Sequence, residues 1–231
     1  QYVVIGQNPE KCDVIIMGGT FPSFQKEYKE EFVRNIFKAM NDFSNKFYVD
    51  GKLDMKKFKD FFELPGSVDD KQREENIKAK VLALKAENIK SLEQEKRLNE
   101  TTNIRCIGLT IETKPDWGLL DHGNEMLSFG TTRVELGIQT TYDKVLKAVN
   151  RGHGIKESIE SIRILKDLGF KLNFHIMPGL PDVSKKEDEA ALKQIFDDPD
   201  YKPDMLKIYP TLVMPGTPLF KMYQEGKYLP M

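Results

Sequence analysis

Arg133-Val134-Glu135-Leu136-Gly137-Ile138-Gln139 is the stretch on which the reading of the fold turns. Val134, Leu136 and Ile138 alternate with Glu135, Gly137 and Gln139, the period of a β-strand, so a carboxylate and an amide share one face. The run gives way to helical spacing at Val145, Leu146 and Val149, and then to Asn150-Arg151-Gly152-His153. Polar groups that point from a parallel strand into a barrel or cleft are costly unless something satisfies them. Glu135 therefore faces a ligand or sits in an internal salt bridge with Arg133 or Arg151.

Outward from this strand the same unit recurs. Val14-Ile15-Ile16-Met17 is a continuous apolar run, as a strand buried on both faces requires, and it ends in Gly18-Gly19-Thr20. An amphipathic helix follows, with Tyr28, Phe32, Ile36, Phe37 and Met40 on its apolar face. Ile107 to Ile111 predicts the next strand, which ends at Glu112-Thr113-Lys114-Pro115-Asp116 and leads into a helix reaching Phe129. Beyond Arg151, a helix carrying Ile159, Ile162, Ile164, Leu165 and Leu168 stops at Gly169. Lys171 to Met177 is a strand broken by Pro178-Gly179-Leu180-Pro181, and a helix near 187–196 comes next. The last strand, Met205 to Tyr209, breaks at Pro210, and Pro215-Gly216-Thr217-Pro218 precedes a final short helix. Such alternation predicts an α/β fold with a parallel sheet and right-handed crossovers. Chemistry in barrel-type α/β folds sits where strands end. That rim collects Gly18, Gly19, Glu112, Glu135, Gln139, His175 and Tyr209.

The rhythm breaks from about Ser44 to Asn103, where no strand is expected. Lys56 to Phe62 reads as a short helix, and 69–100 is dense in charge with a thin apolar seam at Ile77, Val81, Leu84 and Leu92. Residues 44–103 are read as a charged helical insertion, solvated on its outer face. Over the whole chain 35 basic residues meet 36 acidic ones, so no global field marks a nucleic-acid binder. Cys12 and Cys106 lack metal-site spacing and read as reduced core thiols of a cytoplasmic protein. No apolar run reaches the length of a membrane span, and nothing resembles a signal peptide. The chain opens on Gln1, and Tyr2-Val3-Val4-Ile5-Gly6 reads as the end of a helix, so a piece of a longer protein is expected.

The rim residues allow more than one chemistry. Gly18-Gly19 after a strand is either a tight turn or a place where backbone approaches a ligand closely. Glu112, Glu135 and His175 can form a divalent-metal site or grip a ligand's amine and hydroxyls. Arg151-Gly152-His153 can hold a carboxylate or phosphate, while Arg151 in a surface ion pair and His175 as a satisfied core histidine are the plainer alternatives.

Taken in order, the runs Ile16-Met17-Gly18-Gly19-Thr20-Phe21, Gly108 to Asp116, Val134 to Gln139, Asn150 to His153, His175 to Pro181 and Leu206 to Val213 resemble the radical SAM domain of the Elongator-type tRNA uridine acetyltransferases. The resemblance covers nearly all of the chain except the charged segment. It implies a partial TIM-like (β/α)6 radical SAM barrel lacking its first strand, binding S-adenosylmethionine (SAM) beside a [4Fe–4S] cluster, with acetyl-CoA as co-substrate and tRNA as substrate. Residues 1–231 would be the radical SAM core, with the cluster loop and the acetyltransferase domain outside it. Gly18, Gly19 and Thr20 match the motif that holds the methionine amine, with Thr20 where many relatives carry Glu. Glu112, Glu135 and Gln139 would act around the ribose and methionine. Arg151 would approach the SAM carboxylate, and His175 would be a further cofactor-binding residue. Met177, Gly179 and Tyr209 would cradle the adenine, and Lys11 matches a lysine linked to acetyl-CoA. In the family, a 5′-deoxyadenosyl radical made from SAM activates the acetyl group for addition to C5 of the wobble uridine.

The family's cluster cysteines have no counterpart here, so the chain as it stands is expected to be inactive and to hold no protein-ligated metal. A divalent-metal barrel enzyme and a non-catalytic tRNA-binding scaffold are the alternatives. Other Elongator subunits or a second copy are further candidate partners. Lys185, Lys186, Lys202, Lys207, Lys221 and Lys227 give the last third basic points for RNA, and no membrane association is expected.

Overall fold

A computed structural model describes residues 1–230. In chain order the elements are β1 (Lys11–Ile16), α1 (Lys26–Phe47), β2 (Tyr48–Val49), β3 (Lys52–Leu53), α2 (Met55–Phe61), α3 (Lys71–Ala86), α4 (Leu92–Asn99), β4 (Arg105–Thr113) and α5 (Leu120–Phe129). Then follow β5 (Arg133–Gln139), α6 (Asp143–Ala148), α7 (Ile155–Asp167), β6 (Lys171–Ile176), α8 (Lys185–Asp197), β7 (Met205–Ile208) and α9 (Pro218–Gln224). Two compact units emerge: Gln1–Val14 with Phe24–Gly108, and Ile15–Ser23 with Leu109 onward.

The main sheet has five strands in the order β1-β4-β5-β6-β7, and the pairs β4–β5, β5–β6 and β6–β7 are parallel. Each strand lies beside the next one of this sheet in sequence, with no reversal of the kind that gives a doubly wound sheet its switch point. That winding is part of a (β/α) barrel, as the alternation of elements predicts. In the second unit alternate residues of the strands supply the packing: Ile111, Val134, Leu136, Ile138, Leu172 and Phe174 are fully buried, as are Leu146, Ile162 and Leu165 from α6 and α7. Burying a side chain of this size contributes about 1.5–3 kcal/mol. Gly169, with φ of +87°, ends α7 where the glycine signal stands.

In the first unit, α1 packs through Val33, Phe37, Met40 and Phe47. Tyr28 and Phe32, expected on that face, are exposed, because the buried stripe steps from Val33 at helical spacing. A two-residue hairpin interrupts the stretch expected to lack strands: Tyr48 pairs with Leu53 and Val49 with Lys52. Asp50 and Gly51 join them with φ of +50° and +73°, the backbone that an Asp-Gly turn of this type demands. α3 buries none of its residues, and Val81 of the seam is exposed. The opening residues do end a helical turn, with Gly6 at φ +79° and the Gln7 N–H donating to the Tyr2 carbonyl at 2.9 Å.

A buried amide network ties α1, α4 and the entry to β4. Asn41 donates to the Glu95 carboxylate at 2.7 Å, and Asn99 donates to Asn41 Oδ1 and to the Ile104 carbonyl, both at 2.9 Å. The Cys106 N–H donates back to Asn99 Oδ1 at 2.7 Å. Among the described residues no helix is long and apolar enough to cross a membrane.

Candidate active site

Register builds the site. Glu112 lies opposite Glu135, Glu135 opposite Asn173, and His175 opposite Lys207 across neighbouring parallel strands. Since side chains alternate along each strand, these five polar groups emerge on one face of β4 to β7, away from the apolar positions.

Glu135 is the centre of the group and is 1% exposed. Its Oε2 accepts from Lys207 Nζ at 2.6 Å and from His175 Nε2 at 2.7 Å, and its Oε1 accepts from Asn173 Nδ2 at 3.0 Å. Arg133 Nε stands 4.0 Å away. Burial pushes the Glu135 carboxyl upward, but the bonds from Lys207, His175 and Asn173 outweigh it and leave the pKa below the usual range. Burial likewise works against the Lys207 charge, and the Glu135 partner outweighs it to raise that pKa. Glu135 does sit in an internal ion pair, but its main cation is Lys207 rather than the expected Arg133 or Arg151: Arg133 is more distant and Arg151 is not among its partners.

Glu112 differs. Its side chain is partly exposed and, among the described residues, makes no hydrogen bond or ion pair. Its carboxylate, the Glu135 carboxylate and the His175 ring nitrogen all lie within 4.8 Å of one another. The Tyr209 ring packs edge-on against His175 with centroids 5.7 Å apart.

A second convergence lies over Gly137. A Cβ placed there would fall 2.5 Å from an Arg151 terminal nitrogen and 2.9 Å from Gln139 Nε2, so a larger residue would push the ends of both side chains aside. Gln139 itself has φ of +69° at a bulge in the β5–β6 ladder, which turns its side chain out of the strand's regular direction. The Arg151 Nε is buried without a partner, and Arg151 forms no ion pair among the described residues, which removes the surface-pair alternative. Burial weakens its hold on the proton while Asp116 strengthens it. His153 is a different case: its ring is enclosed, neither nitrogen has a hydrogen-bond partner, with Asp116 Oδ1 3.8 Å from Nδ1, and burial together with Arg151 outweighs Asp116 and pushes its pKa down, so it stays neutral. Of the Arg151-Gly152-His153 step, only Arg151 offers a charge to an anion.

The loop after β6 is held from both sides. The Gly179 N–H donates to Asp188 Oδ2 at 2.8 Å, and the Tyr228 hydroxyl donates to the Gly179 carbonyl. Met177 and Leu180 from this loop line a cleft of about 490 Å³ with Val149, Leu212 and Met222. Gly18 and Gly19, with φ of +97° and +75°, leave open space where a Cβ would stand. Thr20 follows them. Lys11 begins β1 and is exposed, at the opposite end of that strand from Gly18-Gly19.

The structure thus brings Glu112, Glu135 and His175 together and sets Gln139 beside Arg151, while Lys11 is an exposed residue at the start of β1. Lys207 and Asn173 belong to the site and were not expected there. A lysine between Leu206 and Ile208 on the alternating face was the available signal, and it was read as a surface charge. Cys12 and Cys106 are half-buried thiols donating to the Pro9 and Gly108 carbonyls, each at 3.3 Å. Burial raises both pKa values, that of Cys106 to about 11.

Known proteins share this pattern. Residues 3–195 match the Radical SAM superfamily, and residues 203–231 match the Radical_SAM C-terminal domain. The tRNA uridine(34) acetyltransferase of Methanocaldococcus infernus is 37% identical over 226 residues, covering 98% of this chain and 34% of that protein. Elongator complex protein 3 of Homo sapiens is 33% identical over 225 residues, covering 97% of this chain and 33% of that one. The chain therefore spans about a third of the length of these curated relatives. The solved structure of the archaeal M. infernus Elp3 with an N-terminal deletion superposes with a TM-score of 0.78 at 35% identity, over 100% of this chain and 44% of that chain. With the superfamily match running through every strand but the last, and a five-stranded barrel-type sheet carrying the polar face, this chain belongs to the radical SAM superfamily.

Proposed function

We propose that the chain is the SAM-binding core of an Elongator-type tRNA uridine acetyltransferase that modifies C5 of the wobble uridine with acetyl-CoA as co-substrate. The observation that carries this reading is the pairing of a half-buried Arg151, whose enclosed Nε has no partner, over Gly137 with an open Glu112 carboxylate, in a chain 37% identical along its length to a tRNA uridine(34) acetyltransferase.

The donor set fits SAM. Arg151 supplies a guanidinium for the amino-acid carboxylate, and Glu112 accepts from an amine or from ribose hydroxyls. Gln139 is aimed beside Arg151, and the exposed backbone of Gly18-Gly19 meets the methionine end. Met177, Gly179 and Tyr209 would flank the adenine. Glu135, saturated by its own partners, orients Lys207 and His175 rather than touching the ligand. Bound beside a reduced cluster, SAM supplies a carbon-centred radical; the residues here position the ligand and exclude water from it. The two thiols do not fit the cluster: both hold their protons and both are engaged with carbonyls of their own segments. Iron reconstitution of the chain by itself is therefore expected to give no stoichiometric cluster absorbance.

Lys11 is the candidate contact for acetyl-CoA. For tRNA, the exposed pair Lys185 and Lys186 at the start of α8 is the best placed, whereas Lys207 is withdrawn from the RNA-facing set by its bond to Glu135. Reversing both charges is expected to weaken tRNA binding and flatten its salt dependence by about two counterions; an unchanged affinity removes this face from the reading. Residues 44–103 remain an insertion in this proposal, and cytoplasmic work with other subunits or a second copy goes with it. A divalent-metal enzyme is disfavoured by the ammonium already on Glu135.

The reading is tested by calorimetric titration of SAM into the chain. Arg151→Ala and Gly137→Ala are each expected to weaken SAM binding about tenfold, one by removing the guanidinium and the other by displacing it. Equal affinity in wild type and both variants would place SAM elsewhere.

A further inference from the structure

Glu112, Glu135 and His175 have the composition and spacing of a divalent-metal site, with one ligand atom from each within 4.8 Å of the others. Carboxylates with an imidazole suit Zn²⁺, Mn²⁺ or Fe²⁺, and metal ions bind such sets unless geometry or charge forbids it. Here something forbids it. The Lys207 ammonium lies 2.6 Å from Glu135 Oε2, the same oxygen that His175 Nε2 meets at 2.7 Å. A metal shared by Glu135 and His175 would have to stand where the ammonium and that hydrogen bond now are. The lysine is no loose surface charge either: its side chain is 29% exposed, and Glu135 holds its proton more tightly than usual.

We propose that Lys207 is the built-in cation of this site, occupying the place of a metal ion and closing the Glu112–Glu135–His175 set to divalent cations. A covalently tethered charge cannot dissociate, so the polar face keeps its electrostatic balance whether or not a ligand is present. The consequence for a protein of this superfamily is practical. A divalent cation on this Glu–Glu–His set would take Glu112 from any other ligand. Lys207 denies it that place. The lysine acts through Glu135 and is a positioning residue.

The test is metal binding by the 231-residue chain, independent of any SAM reaction. With wild type, one equivalent of Mn²⁺ is expected to leave the His175 side-chain resonances unbroadened, and Zn²⁺ titration is expected to show no stoichiometric site. Lys207→Met, which keeps the side-chain length and removes the charge, is expected to gain about one equivalent of Zn²⁺ or Mn²⁺ with affinity raised at least tenfold, since an opposing charge in direct contact has gone. Adding Glu112→Gln should abolish the gain, and Lys207→Arg should remain metal-free. Broadening of His175 in wild type at one equivalent of Mn²⁺ overturns the proposal, and this arm needs no variant to fold. A folded Lys207→Met, checked by circular dichroism, that binds no more metal than wild type also overturns it.

Discussion

Glu135→Leu is expected to destabilise the fold by about 2–4 kcal/mol, read as a lower urea midpoint with an unchanged slope. The replacement is close in size, so little of the loss comes from packing. It comes from three donors left behind: Lys207 Nζ, His175 Nε2 and Asn173 Nδ2 all lose their acceptor at once. Lys207 retains some water and can turn outward, which keeps the loss below that of a fully buried orphaned charge. Glu135→Gln should cost less, because its carbonyl oxygen still accepts one bond, although it cannot neutralise the ammonium. Acid has a matching signature. The Glu135 carboxyl is held below its ordinary pKa in the fold, so its ionisation contributes stability above the unfolded carboxylate value of about 4.3. That contribution is lost as pH falls through the lowered folded value. The stability gap between wild type and Glu135→Gln should therefore be constant near neutrality and shrink as the solution is taken below about pH 4. A gap that widened in acid would mean that burial, not the three donors, sets this carboxyl.

Asn99→Ala is the second large effect, about 2–4 kcal/mol from the first unit. Asn99 is 3% exposed and closes a chain of bonds between α1, α4 and β4. Its loss strands Asn41 Oδ1, the Ile104 carbonyl and the Cys106 N–H in a place where water does not reach all of them. Thr102 Oγ1 also donates to the Ile104 carbonyl at 2.9 Å and lies 3.5 Å from Asn41 Oδ1, so it would soften the loss at those acceptors but not at the Cys106 N–H. Asn99→Asp is a useful control: it keeps the acceptor for the Cys106 N–H but cannot donate, and it brings a charge near the buried Glu95. Amide exchange at Cys106 should accelerate in Asn99→Ala and remain slow in Asn99→Asp.

Much of the barrel was legible because buried parallel strands and their helices write simple periods. Arg133 to Gln139 is a strand with the bounds its alternation predicts, and Gly169 ends its helix where expected. Strands with one exposed face were shortened in the reading: β1 starts at Lys11 rather than Val14, since Lys11-Cys12-Asp13 lacks the apolar run of a doubly covered strand. The Asp50-Gly51 hairpin was missed although its turn chemistry is explicit, because flanking strands of two residues each carry too little alternation to register. On the site, residue type pointed to Glu112, Glu135, His175 and Arg151. What single positions could not reveal was partnership. Register across β6 and β7 decides that Lys207 meets Glu135 rather than solvent, and register is a property of pairs of strands. The convergence of Gln139 and Arg151 over Gly137 depends on a positive φ at Gln139, which strand alternation does not foretell.

The measurement closest to the central claim places this chain in the position of the matching third of the Methanocaldococcus infernus acetyltransferase, so that the relative's flanking segments surround it. The chimera would be loaded anaerobically with iron and sulfide, reduced and given SAM, and 5′-deoxyadenosine would be quantified with and without tRNA. The account predicts product that rises when tRNA is added and falls at least tenfold in Arg151→Ala. A chimera with its cluster fully loaded that forms no 5′-deoxyadenosine under either condition would contradict it.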